Sequence, residues 1–244
     1  MKKLILTTAV LALSAGAAMA ESHMKTIRLG TEGAYAPFNF INDKGEVDGF
    51  ERELGDELCK RAELKCEWVT NEWDSIIPNL VSGNYDVIIA GMSITDERDK
   101  VIDFTQNYTP PSNSAYMALT DDADIMKGVV AAQTATIQAA HVAETGATLV
   151  EFATPDETIA AVKNGEADAV MADLDYLKPF VDESNGEFVF VGDPVPLGGG
   201  VGMGLRESDT ELKAKFDAAI QSMKDDGTLN PMIKKWFGED AQTY

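Results

Sequence analysis

The sequence is poor in several kinds of residue, and each shortage excludes a class of function. Two histidines and two cysteines among 244 residues leave little material for a structural zinc site. Lysine plus arginine total 20 against 41 aspartates and glutamates, for a formal charge of −21. Phosphate binding needs clustered cations, so this balance argues against a nucleic-acid partner. There is no Gly-x-Ser-x-Gly elbow, no His-Glu-x-x-His and no P-loop. Gly198-Gly199-Gly200-Val201-Gly202-Met203-Gly204 does not match Gly-x-Gly-x-x-Gly and reads as a flexible or close-packed crossing of the chain. No metal or cofactor is expected. Beyond the N-terminus, no apolar run is long enough to span a bilayer. What is present is ordinary for a folded domain: 45% apolar and 25% charged residues, with length enough for one or two domains.

The N-terminus has the three parts of a secretory signal peptide. Met1-Lys2-Lys3 is basic, Leu4 to Leu13 is mostly apolar, and Ala18-Met19-Ala20 fits the cleavage site. Residues 1–20 are therefore expected to be removed on export to the periplasm. No cysteine stands at the cleavage site, so no lipid anchor is expected. Export also governs Cys59 and Cys66, which are seven apart. In an oxidising compartment they predict a local disulfide, a staple between a helix end and the next strand.

The periodicities alternate. Ile27 to Gly30, Cys66 to Thr70 and Tyr85 to Ala90 read as strands. Phe50, Leu54 and Leu58 form the apolar stripe of a helix, Asp74 to Val81 a second helix, and Asn42-Asp43-Lys44-Gly45 a hairpin turn. The plan of Leu80 to Ala90 (helix end, glycine turn, aspartate, apolar strand) is repeated in Ala161 to Met171, with its glycine and aspartate 82 residues further on. Thr154 and Pro155 mark the start of the second helix in this repeat. Two α/β lobes of similar build follow, with parallel strands. Ligands of such sheets sit beyond the carboxyl ends of the strands, which directs attention to Gly91-Met92-Ser93 and Asp173. The tail reads as helices over Thr210 to Lys224 and Leu229 to Phe237.

Several residues suit a zwitterion, each with a plainer alternative. Arg98 can grip a carboxylate with two parallel hydrogen bonds, or pair with Asp96 or Asp103 at the surface. Asp173 can accept from an ammonium or cap a helix. Tyr35 and Trp73 can enclose an aliphatic chain or belong to the core. Glu32 can meet a cation or face water.

Taken together, the motifs resemble the family 3 solute-binding proteins of bacterial ABC transporters, most of all those for lysine/arginine/ornithine and for histidine. Gly30-Thr31-Glu32-Gly33-Ala34-Tyr35-Ala36-Pro37-Phe38 resembles the opening loop of that family, and Ser93-Ile94-Thr95-Asp96-Glu97-Arg98 is the most specific piece. Gly49-Phe50-Glu51 with the cysteine pair, and Lys235-Trp236-Phe237-Gly238 near the end, add to it. The resemblance implies a type II periplasmic binding protein of α/β class. Each lobe is a sheet flanked by helices, and two crossover strands form the hinge. Lobe 1 is expected at 24–110 plus 201–244 and lobe 2 at 111–200.

The same resemblance implies site roles. Arg98 and Ser93 would bind an α-carboxylate, and Thr136 would bind it from lobe 2 near a helix N-terminus. Gln138 would complete the lining there. Asp173 would take the α-ammonium with the Gly91 carbonyl, Tyr35 and Trp73 would flank the side chain, and Glu32 and Glu51 would meet its distal end. The implied protein is a monomer and no enzyme. It would bind a free amino acid, cationic by virtue of the two acids (arginine, lysine, ornithine or histidine), and would deliver it to an inner-membrane ABC permease. Departures bear on the side-chain preference. Ala90-Gly91-Met92 replaces a run of serines, Glu32 and Glu51 replace aspartates, and Ala135 replaces a glycine. Opines and neutral polar amino acids are the alternative ligands, and an exported cyclohexadienyl dehydratase on the same fold is the alternative activity.

Overall fold

The structure is a computed structural model and describes residues 25–244. The expected signal peptide lies outside the described residues. The chain opens with β1 (Ile27–Thr31), a small antiparallel meander of β2 (Ala34–Tyr35), β3 (Asn39–Ile41) and β4 (Val47–Asp48), then α1 (Phe50–Arg61) and β5 (Cys66–Thr70). Phe50, Leu54 and Leu58 are fully buried, as their spacing predicts. Cys59 in α1 and Cys66 at the start of β5 are joined by a disulfide.

Next come α2 (Ile76–Val81) and β6 (Val87–Ile88). Trp73–Ser75 forms a separate 3-10 turn, so α2 starts two residues later than its sequence suggests. Pro78 explains the shift. It has no N–H to donate and is accommodated only in the first turn of a helix. After β7 (Asp103–Phe104) the chain crosses to a second sheet: β8 (Asn113–Ala118), β9 (Val129–Gln133), α3 (Ile137–Glu144), β10 (Thr148–Phe152), α4 (Pro155–Lys163), β11 (Ala169–Asp173), α5 (Leu174–Glu183) and β12 (Val189–Pro196). Thr154 closes a full capping box with Glu157 at the head of α4. The chain then returns through β13 (Gly204–Leu205) and ends in α6 (Thr210–Asp225) and α7 (Leu229–Phe237).

The two five-stranded sheets share one plan, β5-β1-β6-β13-β7 and β10-β9-β11-β8-β12. In each, the first three strands are parallel and the fourth is antiparallel. The repeat extends to the two aspartates. Asp86 Oδ2 accepts from the Arg28 N–H at 3.1 Å, and Asp168 Oδ2 accepts from the Val129 N–H at 2.7 Å. Each carboxylate thus holds the backbone of the neighbouring parallel strand. The crossing segments run side by side, with Val201 bridging both Ser93 and Thr109. Gly200 is needed there: its φ is +90°, and a Cβ would stand 2.7 Å from the Thr109 carbonyl oxygen. Among the described residues no helix is long and apolar enough to cross a membrane.

Candidate functional site

The carboxyl ends of β1, β6, β9 and β11 converge on one narrow cleft between the two sheets. Glu32 follows β1, Ala90, Gly91 and Ser93 follow β6, Gln133 ends β9, and Asp173 ends β11. Tyr35, Trp73, Arg98, Thr136, Ile137 and Gln138 complete the lining. Nine of the ten residues expected at the site therefore meet in a single cavity.

Arg98 makes no ion pair with Asp96 or Asp103. Its guanidinium donates to the Ser93 carbonyl at 2.9 Å and, across the cleft, to the Ala135 carbonyl at 3.2 Å. It also lies over the Trp73 ring, 5.3 Å from the centroid. Every one of these partners is uncharged. Burial lowers its pKa to about 10, against the pull of Asp173.

Asp173 stands at the N-cap position of α5, but its side chain makes no cap hydrogen bond. Instead Oδ2 accepts from the Tyr35 hydroxyl at 2.8 Å and Oδ1 from Gln138 Nε2 at 2.9 Å. Burial pushes its carboxyl up to about 6, and these neutral donors and Arg98 offset only part of that. Tyr35 comes from the opposite side of the cleft and stacks on Tyr176, with ring centroids 4.2 Å apart. Thr136 caps α3: its Oγ1 accepts from the Ala139 N–H at 3.1 Å and donates to the Gln133 carbonyl at 2.7 Å. The free backbone N–H groups of that helix start lie at the cavity wall, where they favour an anion.

In the same cavity, Glu32 Oε1 accepts from Gln133 Nε2 across the cleft at 2.6 Å. Burial raises the Glu32 carboxyl to about 7, and the Gln133 hydrogen bond opposes the rise. The Trp73 indole N–H is buried and has no partner among the described residues.

Glu51 departs from expectation. It does not line the cavity but is wholly buried behind it. Its carboxylate accepts from the Gly91 N–H at 2.6 Å, from Asn39 Nδ2 at 2.7 Å and from the Tyr108 hydroxyl. Because α1 turns its Phe50–Leu54–Leu58 face into the core, Glu51 beside Phe50 is drawn inward as well. It fixes Gly91, whose φ is +62°, instead of facing a ligand. Conversely, Gln133, Ala90 and Ile137 line the cavity without having been expected there. The strand-end argument that pointed to Asp173 applies equally to Gln133, the polar residue that closes the apolar strand β9.

A cationic fork, a buried carboxylate near it and a second carboxylate thus line one cleft, a set of groups chemically suited to a small zwitterion. Among the described residues no group of three or more histidine, cysteine, aspartate or glutamate side chains could hold a metal ion. Residues 27–239 match the profile of the bacterial extracellular solute-binding proteins, family 3. The chain belongs to this family. Two relatives within it are the lysine/arginine/ornithine-binding periplasmic protein of Escherichia coli and the octopine-binding periplasmic protein of Rhizobium meliloti. The first is 34% identical and covers 97% of each chain. The second is 31% identical and covers 94% of this chain and 96% of its own. Among solved structures, a periplasmic His/Glu/Gln/Arg/opine family-binding protein from Silicibacter pomeroyi, in complex with lysine, is 79% identical. It covers 90% of this chain and 100% of its own, with a TM-score of 0.89. The two curated relatives are periplasmic binding proteins for lysine, arginine and ornithine and for octopine, and the Silicibacter pomeroyi protein shares the fold described above.

Proposed function

We propose that this protein is the periplasmic substrate-binding component of an ABC transporter for cationic amino acids. The observation that carries the reading is the sorting of charge in one cleft. Among the described residues Arg98 has no carboxylate in ion-pair contact, Asp173 lies close enough to pull on its charge, and Glu32 lines the same cleft. An α-carboxylate completes Arg98 with help from Ser93 and Thr136. An α-ammonium completes Asp173 with the Gly91 carbonyl. A side-chain cation completes Glu32, since a buried carboxylate without a charged partner is costly. Residues 24–110 with 201–244 and residues 111–200 act as the two lobes. Ligand contacts both only in the closed form, so binding shifts the population toward closure, and the closed monomer docks on its permease. The protein is exported by its N-terminal signal and catalyses no reaction.

One observation favours a second reading. The unpartnered Trp73 N–H suits an acceptor, and Glu32 at about 7 is readily neutral, so a carboxamide such as glutamine, or an opine, also fits the distal end. A thermal-shift screen of ligand-stripped protein against the twenty amino acids, ornithine, citrulline and octopine decides between them. A ligand at a hundred times its dissociation constant adds about 2.7 kcal/mol of stability. Shifts confined to lysine, arginine, ornithine and histidine are the expected result. Shifts with neutral ligands alone would refute the cationic reading and keep the clamp. No shift at all would move attention to turnover of arogenate or prephenate.

A further inference from the structure

The first turn of α5, which packs on the second sheet, reaches across the cleft and grips the side chain of Tyr35. Asp173 stands at the N-cap of α5 and Tyr176 three residues on, so both side chains leave the same turn. Asp173 takes the tip of Tyr35. Its Oδ2 accepts from the hydroxyl at 2.8 Å, and its N–H donates to the same hydroxyl oxygen at 3.2 Å. Tyr176 takes the ring: the two rings lie 10° from parallel with centroids 4.2 Å apart. Tyr176 is itself held by Phe180, one turn along α5, which meets it edge-on at 5.3 Å. On the near side of the cleft, Phe38 lies 5.8 Å from the Tyr35 centroid. Tyr35 lines the cleft, whereas Tyr176 does not and is only 2% exposed. Tyr176 therefore covers a face of Tyr35 that no ligand in the cleft can reach.

We propose that Tyr176 is a positioning residue for closure, an aromatic latch that acts through Tyr35 and touches no ligand. This rests on the amino-acid-binding function above and adds a contribution common to all ligands. Two rings carried by different sheets bury each other only while the cleft is shut. Separating the sheets parts the rings and returns apolar area of both to water, which disfavours the open form. Closure of the cleft is one equilibrium shared by every ligand that both sides enclose. The latch thus raises affinity without changing preference.

The test is calorimetry with lysine, arginine and glutamine on the wild type, on single variants of Tyr176 and Tyr35, and on the double variant. Tyr176→Leu and Tyr176→Met both keep an apolar side chain and remove the ring, so either serves if the other fails to fold. Each should weaken every ligand that the wild type binds by one common factor of about tenfold, the scale of a buried aromatic pair. Tyr176→Phe keeps the ring and should stay within about twofold of wild type. In a Tyr35→Leu background, Tyr176→Leu should cost at most about twofold more, because its partner is already gone. Stopped-flow kinetics should place the loss in faster dissociation, with association unchanged, since the latch forms after encounter. Calorimetry reads affinity on the folded fraction, so partial misfolding lowers the stoichiometry and leaves these comparisons intact. A loss that differs between ligands would put Tyr176 in contact with them and overturn the latch. So would losses that add in full in the double variant, or an unchanged affinity with a lower melting temperature, the mark of a residue that only fills the core. A wild-type protein that binds none of the three ligands would instead refute the binding function, and this inference with it.

Discussion

Two regions of the molecule bury charge and treat it in opposite ways. At the base of the first sheet, the Asp86 side chain is only 2% exposed and meets three cations, Lys25 and Arg28 at 3.0 Å and Arg206 at 3.2 Å. Burial works to raise its pKa, but the hydrogen bonds and charges of Arg28 and Lys25 outweigh that and hold the carboxyl well below its usual range. In the cleft, Glu32, Asp173 and Arg98 are hydrogen-bonded only to neutral groups, and each is displaced toward its uncharged form. The first region is completed by the fold itself. The second is electrostatically incomplete, which is the condition for a ligand's charges to add net binding energy. Perturbed values gathered in a cavity mark function for this reason, whereas a perturbed value inside a saturated ion cluster marks structure.

The contrast is broken most strongly at Arg98. In Arg98→Ala, amino-acid affinity should fall by about 4 kcal/mol, roughly a thousandfold, because the ligand carboxylate loses its charged partner. The melting temperature of the ligand-free protein should barely change, since no internal ion pair is lost. Calorimetry and thermal melting on one preparation read both quantities, and near-normal affinity would remove Arg98 from the clamp.

Asp86→Asn should behave in the reverse sense. It leaves Arg28 and Arg206 without their shared carboxylate, and a loss of about 2–3 kcal/mol in unfolding free energy follows, tempered by the partial exposure of both arginines. Amino-acid affinity should stay within about twofold of wild type, because Asp86 sits at the end of β6 remote from the cleft. A parallel loss of affinity would mean that the two regions are coupled.

Much of this comparison was hidden from the sequence. The helix stripes, the start of α4 at Thr154 and Pro155, the bounds of α7 and the strand end at Asp173 are all local patterns, legible within about a turn of the chain. Asp86 meets Arg28 and Arg206 across 58 and 120 residues, distances at which spacing carries no information. The inward placement of Glu51 is hidden from the sequence for the same reason. The Asn39, Gly91 and Tyr108 groups that draw it inward are brought together only by the packed lobe. Most of the clamp was legible through resemblance to a family, not through the physics of isolated residues. For Arg98, Asp173 and Tyr35 the plainer alternatives stood open until the structure showed where their side chains go.

The pH dependence sharpens the contrast at a smaller scale. Glu32 and Asp173 are raised in the folded protein to about 7 and about 6. A raised acid contributes stability that is complete below its unfolded value, near 4, and is lost as pH rises through the folded one. The ligand-free protein should therefore melt higher at pH 5 than at pH 8. Lysine affinity should run the other way and decline as pH falls below about 7. In Glu32→Gln the upper part of both dependences should vanish, and lysine should lose about tenfold or more while glutamine changes little. Equal losses for lysine and glutamine would take Glu32 out of the distal end.

The smallest effect concerns the residue that carries the cross-cleft acceptor of Arg98. Ala135 has φ +55°, in the left-handed region that a Cβ disfavours by about 1–2 kcal/mol. Glycine, which lacks a Cβ, adopts this conformation freely. Ala135→Gly relieves the strain but gives the unfolded chain more freedom, a cost of about 0.4–1 kcal/mol. The two effects leave a net stabilisation of about 0.5 kcal/mol, seen as a small rise in melting temperature. The carbonyl that accepts from Arg98 at 3.2 Å belongs to the backbone and stays in place, so ligand affinity should not move. A fall in stability would mean that the methyl group packs well enough to outweigh its strain. A change in affinity would mean that the left-handed turn sets the position of Arg98.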